Sequence, residues 1–317
     1  MRRAIVVAHH DPDGVVDPHV ERALAAYRPH ADRLVLVSTS VRALPGRLGT
    51  VVDDFIPRAN VGYDFGSWAA GLAALSPAGG FSAPGLDEVV CVNDSVWGPL
   101  VEPGRLFTDA RVAGADLWGM VLSLQPPRGG GRAPRPHLQS WFFAARRPLL
   151  DAEAWRGFWE GVGPLPTKHD VVSRLELGLS ESVAAAGFRI AALWDAREEP
   201  GASWRDLVPH LSPLHPRRAW RLLRKSRRGH INPAELLPVR LLAAGVPYVK
   251  VSVPRVNHYG LDTSVVLDAL SRAGARGGYD PDLVTAHLAR IGRLGDDRRG
   301  HRAGAEAADW KASGGVR

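Results

Sequence analysis

Short, unbroken apolar runs alternate along most of the chain with stretches in which apolar residues recur every three or four positions. Ala4–Ala8 (AIVVA) and Leu34–Val37 (LVLV) are continuous runs bounded by polar residues, the mark of strands buried on both faces. Further strands are predicted at Val51–Ile56, Glu88–Val92, Asp116–Ser123, Ser140–Ala145, Phe188–Leu193 and Tyr248–Val253. Pro18–Tyr27 places Val20, Ala23, Leu24 and Tyr27 at helical spacing. Helices are also expected at Ser67–Leu75, with Ser67 as N-cap, at Ala152–Gly161, and at Pro233–Ala244. A longer helix over Asp170–Ala186 has Gly187 placed to terminate it at C′. Gln125–Pro136, rich in Pro, Gly and Arg, reads as a loop. Beyond Asp262 the helical pattern is scattered, and the last ~15 residues are expected to be disordered.

This alternation predicts an α/β fold, with a mostly parallel sheet flanked by helices and a helical C-terminal extension. In such sheets ligands bind beyond the carboxyl ends of the strands. That rule selects His9–Gly14, Asn60–Ser67 and Asn93–Gly98, each of which follows a strand.

The 317 residues carry a net charge of +7, which points to an anionic partner without choosing among nucleic acid, a phosphosugar and an acidic membrane. A single cysteine, Cys91, excludes an internal disulfide framework and a cysteine-rich zinc site. The opening MRRAIVVAHHDPDG is too short and polar for a signal peptide, and no run approaches the ~18 apolar residues of a membrane span. The expected location is the cytoplasm, with contact at the inner face of the plasma membrane left open.

Six segments are candidates for chemistry. Asn93-Asp94-Ser95 follows a strand, where a carboxylate can hold a divalent cation against a diphosphate, or can simply cap a polar turn. In Asn60–Trp68, Gly62 and Gly66 permit a tight turn and close backbone approach, while Asn60 and Asp64 offer acceptors before a helix N-terminus. A plain strand-to-helix loop explains the same glycines. Glu176 stands among apolar residues, either as a general base or on a solvated helix face, with Glu181 close by. His137-Leu138-Gln139-Ser140-Trp141 offers a phosphate or sugar contact at His137 and a sugar platform at Trp141, or core packing; the 10 tryptophans lean towards a carbohydrate site. His215–His230 holds seven Lys/Arg and no acid, with Trp220, Leu222 and Leu223 interleaved. It suits an anionic membrane, a lipid-linked phosphate or nucleic acid, or it is a solvated linker. His9–Asp13 looks on spacing like a metal-dependent phosphoesterase loop, but the later Asp-His-His cluster of such enzymes is missing.

Taken in order, several of these segments resemble the rhamnan synthesis F family of bacterial polysaccharide-assembly proteins. The resemblance runs through AHHDPDGVVD (8–17), LVLVSTS (34–40), NVGYDFGSWAAGLAAL (60–75), VNDSVWGPL (92–100), ADLWGM (115–120), HLQSW (137–141), FW (158–159) and RLELGLSESVAAAGF (174–188). NPAELLPVRLLAAGVPYVKV (232–251) is similar to a C-terminal element of related cell-wall glycosyltransferases. The resemblance implies a glycosyltransferase-A-like core. The chain reads as three regions: a nucleotide-sugar-binding domain over 1–214, the basic segment and the rest of the catalytic domain over 215–261, and, from its scattered pattern beyond the resemblance, a helical, partly disordered tail over 262–317.

The same resemblance implies an inverting transfer of L-rhamnose, or a similar sugar, from a dTDP-sugar donor to a polysaccharide or lipid-linked acceptor, with no nucleic acid as partner. Glu176 falls where the catalytic base is kept. Asp94, with Asn93 and Ser95, stands where the fold keeps an Asp-x-Asp metal motif for Mg2+ or Mn2+; here only one carboxylate is present, which weakens the expectation of a metal. His10, Asp11, Asn60, Gly62 and Asp64 would line the donor pocket, and His137, Gln139 and Trp141 the acceptor side. The alternatives are a phosphoesterase built on His9–Asp13 and a non-catalytic sugar-nucleotide or glycan-binding protein.

Overall fold

The structure, a computed structural model, describes residues 1–76, 80–126, 133–165, 167, 170–212 and 214–297. Ten strands are present among them: β1 (Arg3–His9), β2 (Arg33–Ser38), β3 (Asp54–Pro57), β4 (Glu88–Asn93), β5 (Val96–Trp97), β6 (Leu117–Ser123), β7 (His137–Leu138), β8 (Phe142–Arg146), β9 (Ile190–Asp195) and β10 (Val249–Lys250). The main sheet runs β3-β2-β1-β4-β8-β6-β9, and β7 pairs with β6 on the edge it shares with β8. β1, β2, β3, β4, β6 and β9 all point one way; β8 runs against both its neighbours. The expected mostly parallel sheet flanked by helices is therefore present, as is the helical C-terminal region. β5 and β10 form a separate antiparallel pair.

The helices of eight residues or more are α1 (Pro18–Tyr27), α2 (Tyr63–Ala74), α3 (Glu153–Glu160), α4 (Leu177–Ala185), α5 (Pro216–Ser226), α6 (Thr263–Arg276) and α7 (Asp282–Asp297). Alternating side chains of β1 feed two cores: Ile5 and Val7 on one face, Ala4, Val6 and Ala8 on the other. α2 and α3 cover the second face with Phe65, Trp68, Trp155 and Trp159. α1 covers the first face, and so does the C-terminal part of the chain through Leu222, Val266, Leu270, Val284 and Ile291. The residues from 262 to 297 are thus built into the body of the fold. The expected disorder of the last ~15 residues lies outside the described residues, as does the middle of the Gln125–Pro136 loop.

Several boundaries differ from the sequence reading, each for a local reason. Val51 and Val52 lie in a turn, and the third strand is Asp54–Pro57. α2 begins at Tyr63, after Gly62 in the left-handed region (φ 78), so Ser67 is inside the helix and is not its cap. The long helix opens with a π-helical turn over Val171–Glu176 before α4. Gly187 does close it, with φ 82 and the Phe188 N–H bonded to the Val183 carbonyl. Pro238 breaks the helix expected over Pro233–Ala244 into Pro233–Leu236 and Pro238–Ala243. Strand β10 keeps two residues, and the chain then turns into a short helix at Ser252–Arg255.

Candidate active site

The carboxyl ends of β1, β2 and β4 meet at one edge of the sheet, and β8 starts from that edge. The parallel register sets Ala8 opposite Asn93 and His9 opposite Ser38, so the three loops that leave these strands converge. The His10 backbone N–H donates to Asp94 Oδ2 at 2.7 Å, and the His10 ring contacts Thr39 Oγ1 at 2.8 Å. Asn93 donates its amide to Asp64 Oδ2 at 2.8 Å and accepts from the Ser95 hydroxyl at 2.6 Å. In this way the loop after β1, the first turn of α2 and the turn after β4 are bonded into one polar cluster.

Asp94 is the electrostatic centre of that cluster. Burial pushes its carboxyl up to about 8, and the charges of Asp64 and Asp11 add to the shift, while the His10 N–H opposes it. Asp64 is the second carboxylate that the tripeptide itself does not carry. A divalent cation takes hard carboxylate oxygens, and Asp64 stands near enough for its charge to act on Asp94. By the chemistry of their oxygens, Asp94 and Asp64 are the carboxylates here that would suit Mg2+ or Mn2+.

Asp11 has a different partner. Arg290 of α7 reaches Asp11 Oδ2 at 2.5 Å, Asp13 Oδ2 at 2.9 Å and Asp17 Oδ2 at 2.9 Å. Burial alone would raise the Asp11 carboxyl, but the Arg290 bond and the Asp13 N–H outweigh it and hold it below its usual range. Arg290 escaped the sequence reading because it lies 279 residues from Asp11. The signal was nevertheless present: three aspartates within seven positions after β1 need a cation, and Val284, His287 and Ile291 mark the buried face of α7.

The His9–Asp13 segment does not converge as a metal-ligand set. His9 is buried against Ser38 Oγ at 3.0 Å, and Asp11 and Asp13 turn to Arg290. Among the described residues the His/Asp group close enough to share an ion is Asp17, His19 and His287. Its chemistry does not suit a metal. Its donor atoms are largely engaged already: the two imidazoles stack at 4.1 Å, His19 Nδ1 contacts Asp17 Oδ1 at 2.7 Å, Trp97 Nε1 donates to His287 Nδ1, and Arg290 holds Asp17. The group is better described as a clasp that ties α7 to the start of α1.

The other half of the site comes from the break between β7 and β8. β8 pairs Phe142 with Val92, and the Asn93 N–H bonds the Trp141 carbonyl, so Ser140 immediately precedes the stretch that pairs with the carboxyl end of β4. Ser140 holds Glu176: its hydroxyl donates to Glu176 Oε2 at 2.5 Å and its N–H donates at 3.1 Å. His137 Nε2 lies 3.6 Å from the other carboxylate oxygen. Glu176 ends the π-helical turn, a departure from α-helix that recurs at functional sites. It is half-buried, so the solvated-face reading fails; Glu181 is exposed and paired with Arg135.

Three expectations are corrected here. Trp141 is buried, with its indole N–H on Gln139 Oε1 at 2.9 Å, so it has no open face for a sugar. Gln139 is also buried and donates to Asn232 Oδ1 at 2.8 Å. His137 is buried and contacts Arg135 O at 2.7 Å and Glu176 at 3.6 Å. Seven of the ten tryptophans are buried, and the high Trp count reflects the core. Asn60 is exposed on the rim, while Gly62 and Gly66 serve a close approach: a Cβ on Gly66 would stand 2.3 Å from the Val61 carbonyl oxygen.

Residues 34–212 match the sequence profile of rhamnan synthesis protein F. An uncharacterized protein, y4gN, from Sinorhizobium fredii is 26% identical over 149 residues, 47% of this chain and 37% of that protein. A protein named virulence protein VirA, from Vibrio anguillarum, is 27% identical over 211 residues, 66% of this chain and 64% of its own length. The chain thus spans less than two thirds of either relative. Among solved structures, a mannosyltransferase from Pyrobaculum calidifontis, in complex with GDP-Man and Mn2+, aligns at 15% identity. That alignment covers 92% of this chain and 80% of the other, with a TM-score of 0.37. Glucosyl-3-phosphoglycerate synthase from Mycobacterium tuberculosis aligns at 17% identity over 74% and 82% of the two chains, with a TM-score of 0.31.

Proposed function

The chain belongs to the rhamnan synthesis protein F family, and from that premise we propose that it is an inverting glycosyltransferase with a glycosyltransferase-A-like core. Its donor would be a nucleotide sugar, dTDP-L-rhamnose first among candidates. Its acceptor would be a polysaccharide or lipid-linked glycan, met in the cytoplasm at the inner face of the plasma membrane. The observation that supports this reading is that two carboxylates are separately held on adjoining strand ends: Asp94, just after β4, by the His10 N–H, and Glu176 by Ser140, just before the β8 residues that pair with β4.

The two carboxylates suit different tasks. Glu176 is held from one side by Ser140, which orients it as a base for an acceptor hydroxyl. The acceptor oxygen attacks the anomeric carbon, the bond from that carbon to the donor diphosphate breaks, and the hydroxyl proton passes to Glu176. Asp94 and Asp64 would hold Mg2+ or Mn2+, which when bound supplies positive charge against the leaving diphosphate. The His10 N–H fixes Asp94, and Asn93 fixes Asp64 relative to it. His10, Asp11, Asn60, Gly62 and Ser95 are the remaining proposed donor contacts; Arg290 holds the loop that carries the first two.

The test is turnover of dTDP-rhamnose with a glycan acceptor by the parent, Asp94→Ala and Glu176→Gln. Transfer by the parent that is lost in both variants is expected. Transfer that survives both substitutions would remove the assignment, and donor binding without transfer would favour the non-catalytic reading.

A further inference from the structure

Helix α5 stands apart from the rest of the surface. It buries Ala219, Leu222, Leu223 and Ser226, a single i, i+3, i+4, i+7 stripe, and so it is fixed to the body along its inner face. Its outer face carries Arg217, Arg218, Arg221, Arg224 and Lys225, and Arg227 and Arg228 follow directly; all seven are exposed. Elsewhere Arg3, Arg47, Arg111, Arg197 and Arg290 pair with carboxylates, while Arg58 and Arg189 bond backbone carbonyls. Not one of the seven in and after α5 has an acidic partner among the described residues; Arg218 instead bonds the His258 carbonyl at 3.0 Å. Amid the charges Trp220 is 56% exposed, with the Arg224 guanidinium 5.4 Å from its ring centre. Val256, 53% exposed, lies two residues before the His258 that Arg218 holds.

We propose that this face of α5 docks on an anionic lipid bilayer, with the helix lying in the plane of the surface and Trp220 seated among the head groups. Charge complementarity selects the occupant: five cations on the outer face of α5 and two directly after it, none with an acidic partner among the described residues, match a sheet of lipid phosphates. The exposed indole adds an amphipathic anchor of the kind that settles at a membrane interface. Since Leu222 and Leu223 are committed to the core, α5 cannot roll over and insert, so binding is reversible and salt-sensitive. No helix among the described residues is long and apolar enough to cross a membrane, which leaves surface docking as the mode these residues support. From α5 the chain runs to Asn232, which accepts the Gln139 amide, one residue from the Ser140 that holds Glu176.

The full chain should sediment with vesicles of phosphatidylcholine and phosphatidylglycerol at least about tenfold more than with phosphatidylcholine alone, and salt should reverse this. Arg217→Glu, Arg221→Glu and Arg224→Glu combined should reduce the partition by about tenfold or more, with thermal unfolding unchanged because the three side chains are exposed. Trp220→Ala should weaken the partition severalfold and leave its salt dependence intact. Equal binding to both vesicle types, a triple variant that partitions like the parent, or tighter binding to single-stranded RNA than to the anionic vesicles would each overturn the inference. Binding of dTDP-sugar, measured in parallel without vesicles, should be the same in parent and triple variant. Its absence from the parent would count against the transferase reading alone.

Discussion

Arg290 Nη2 lies 2.5 Å from Asp11 Oδ2, which joins the C-terminal helix to the loop that follows the first strand. The same guanidinium reaches Asp13 and Asp17, and the loop it gathers carries the His10 N–H that fixes Asp94. Arg290 is therefore a positioning residue for the donor side of the site.

Replacing Arg290 by Met keeps the aliphatic stem and strands three carboxylates. Removing one partner of a largely buried ion pair typically costs about 3–5 kcal/mol, and partial exposure of Arg290 lowers the expectation here to about 2–3 kcal/mol. Urea denaturation at neutral pH measures it. Arg290 holds the Asp11 carboxyl below its usual range, so this contribution is present above about pH 4 and lost as the medium becomes more acid. The deficit of the variant should shrink in the same direction. Arg290→Lys should recover only part of it, because an ammonium cannot fork to three carboxylates.

Asp94 gives the opposite sign. Its folded pKa, about 8, lies above the ordinary 3.8, so ionising it in the folded state costs stability between those values. The cost is absent below about pH 4 and complete above about pH 8. Asp94→Asn should match the parent near pH 4 and exceed it near pH 8, by something on the order of 1–3 kcal/mol after allowance for screening at a half-open site. Mg2+ or Mn2+ should raise the melting temperature of the parent at pH 8 and leave Asp94→Asn unmoved. A difference between the two proteins that does not change with pH would show that the carboxyl is not strained by its surroundings.

Glu176 and Ser140 separate chemistry from positioning. Loss of a general base typically costs about 10²–10⁴ in turnover, and Glu176→Gln should fall in that range with donor affinity retained. Ser140→Ala leaves the carboxylate in place with one remaining bond from the backbone N–H, so a smaller loss is expected. Equal losses in single-turnover transfer would mean that Ser140 does more than orient Glu176.

Much of this arrangement is legible in the chain, and the exceptions have physical causes. β1, β2, β4 and β6 are continuous apolar runs because they are buried on both faces, and their observed bounds lie within a residue or two of the expected ones. The strand-end rule located Asp94 and Asp11, because register alone brings the ends of parallel strands together. The burial of Trp141 and Gln139 is not legible, because an alternating segment does not say which of its residues faces a second layer; Tyr248 packs on Trp141 and Asn232 bonds Gln139. The start of α2 was misplaced because its first turn is set by the left-handed backbone at Gly62, which residue preference does not reveal, and Ser67 merely resembles a cap. Arg290 and His287 were missed because their partners are distant in sequence, and small residues in α6 and α7 blur the apolar stripe.

Acid should expose the clasp between α7 and α1. Burial, with the neighbouring His19 charge, lowers the His287 imidazole from 6.5 to about 4, and His9 is lowered to about 4 as well, chiefly by burial. Both are neutral in the fold, so their share of stability is complete above about pH 6.5 and is lost as pH falls towards 4. His287→Gln still offers Trp97 an acceptor but cannot titrate. Its stability should decline less steeply than the parent's over that window in denaturation series; parallel slopes would mean that His287 does not contribute to the acid limb.

The glycines of the α2 entry allow a sharper contrast. Gly66 faces the Val61 carbonyl oxygen and the Arg58 guanidinium so closely that a Cβ would stand 2.3 Å and 2.9 Å from them. The side chain of Arg58 can move, but the Val61 backbone cannot without shifting the turn that presents Asp64. Gly66→Ala should therefore cost about 1–3 kcal/mol, the usual range for overpacking, and weaken Mg2+ or Mn2+ binding at the same time. At Gly163 a Cβ would meet nothing within 4 Å, and Gly163→Ala should leave both properties unchanged within error. Calorimetric titration of the metal and thermal unfolding of the two variants decide the matter. If Gly66→Ala loses stability but binds metal like the parent, Asp64 is not a ligand and the cation site rests on Asp94 with other groups.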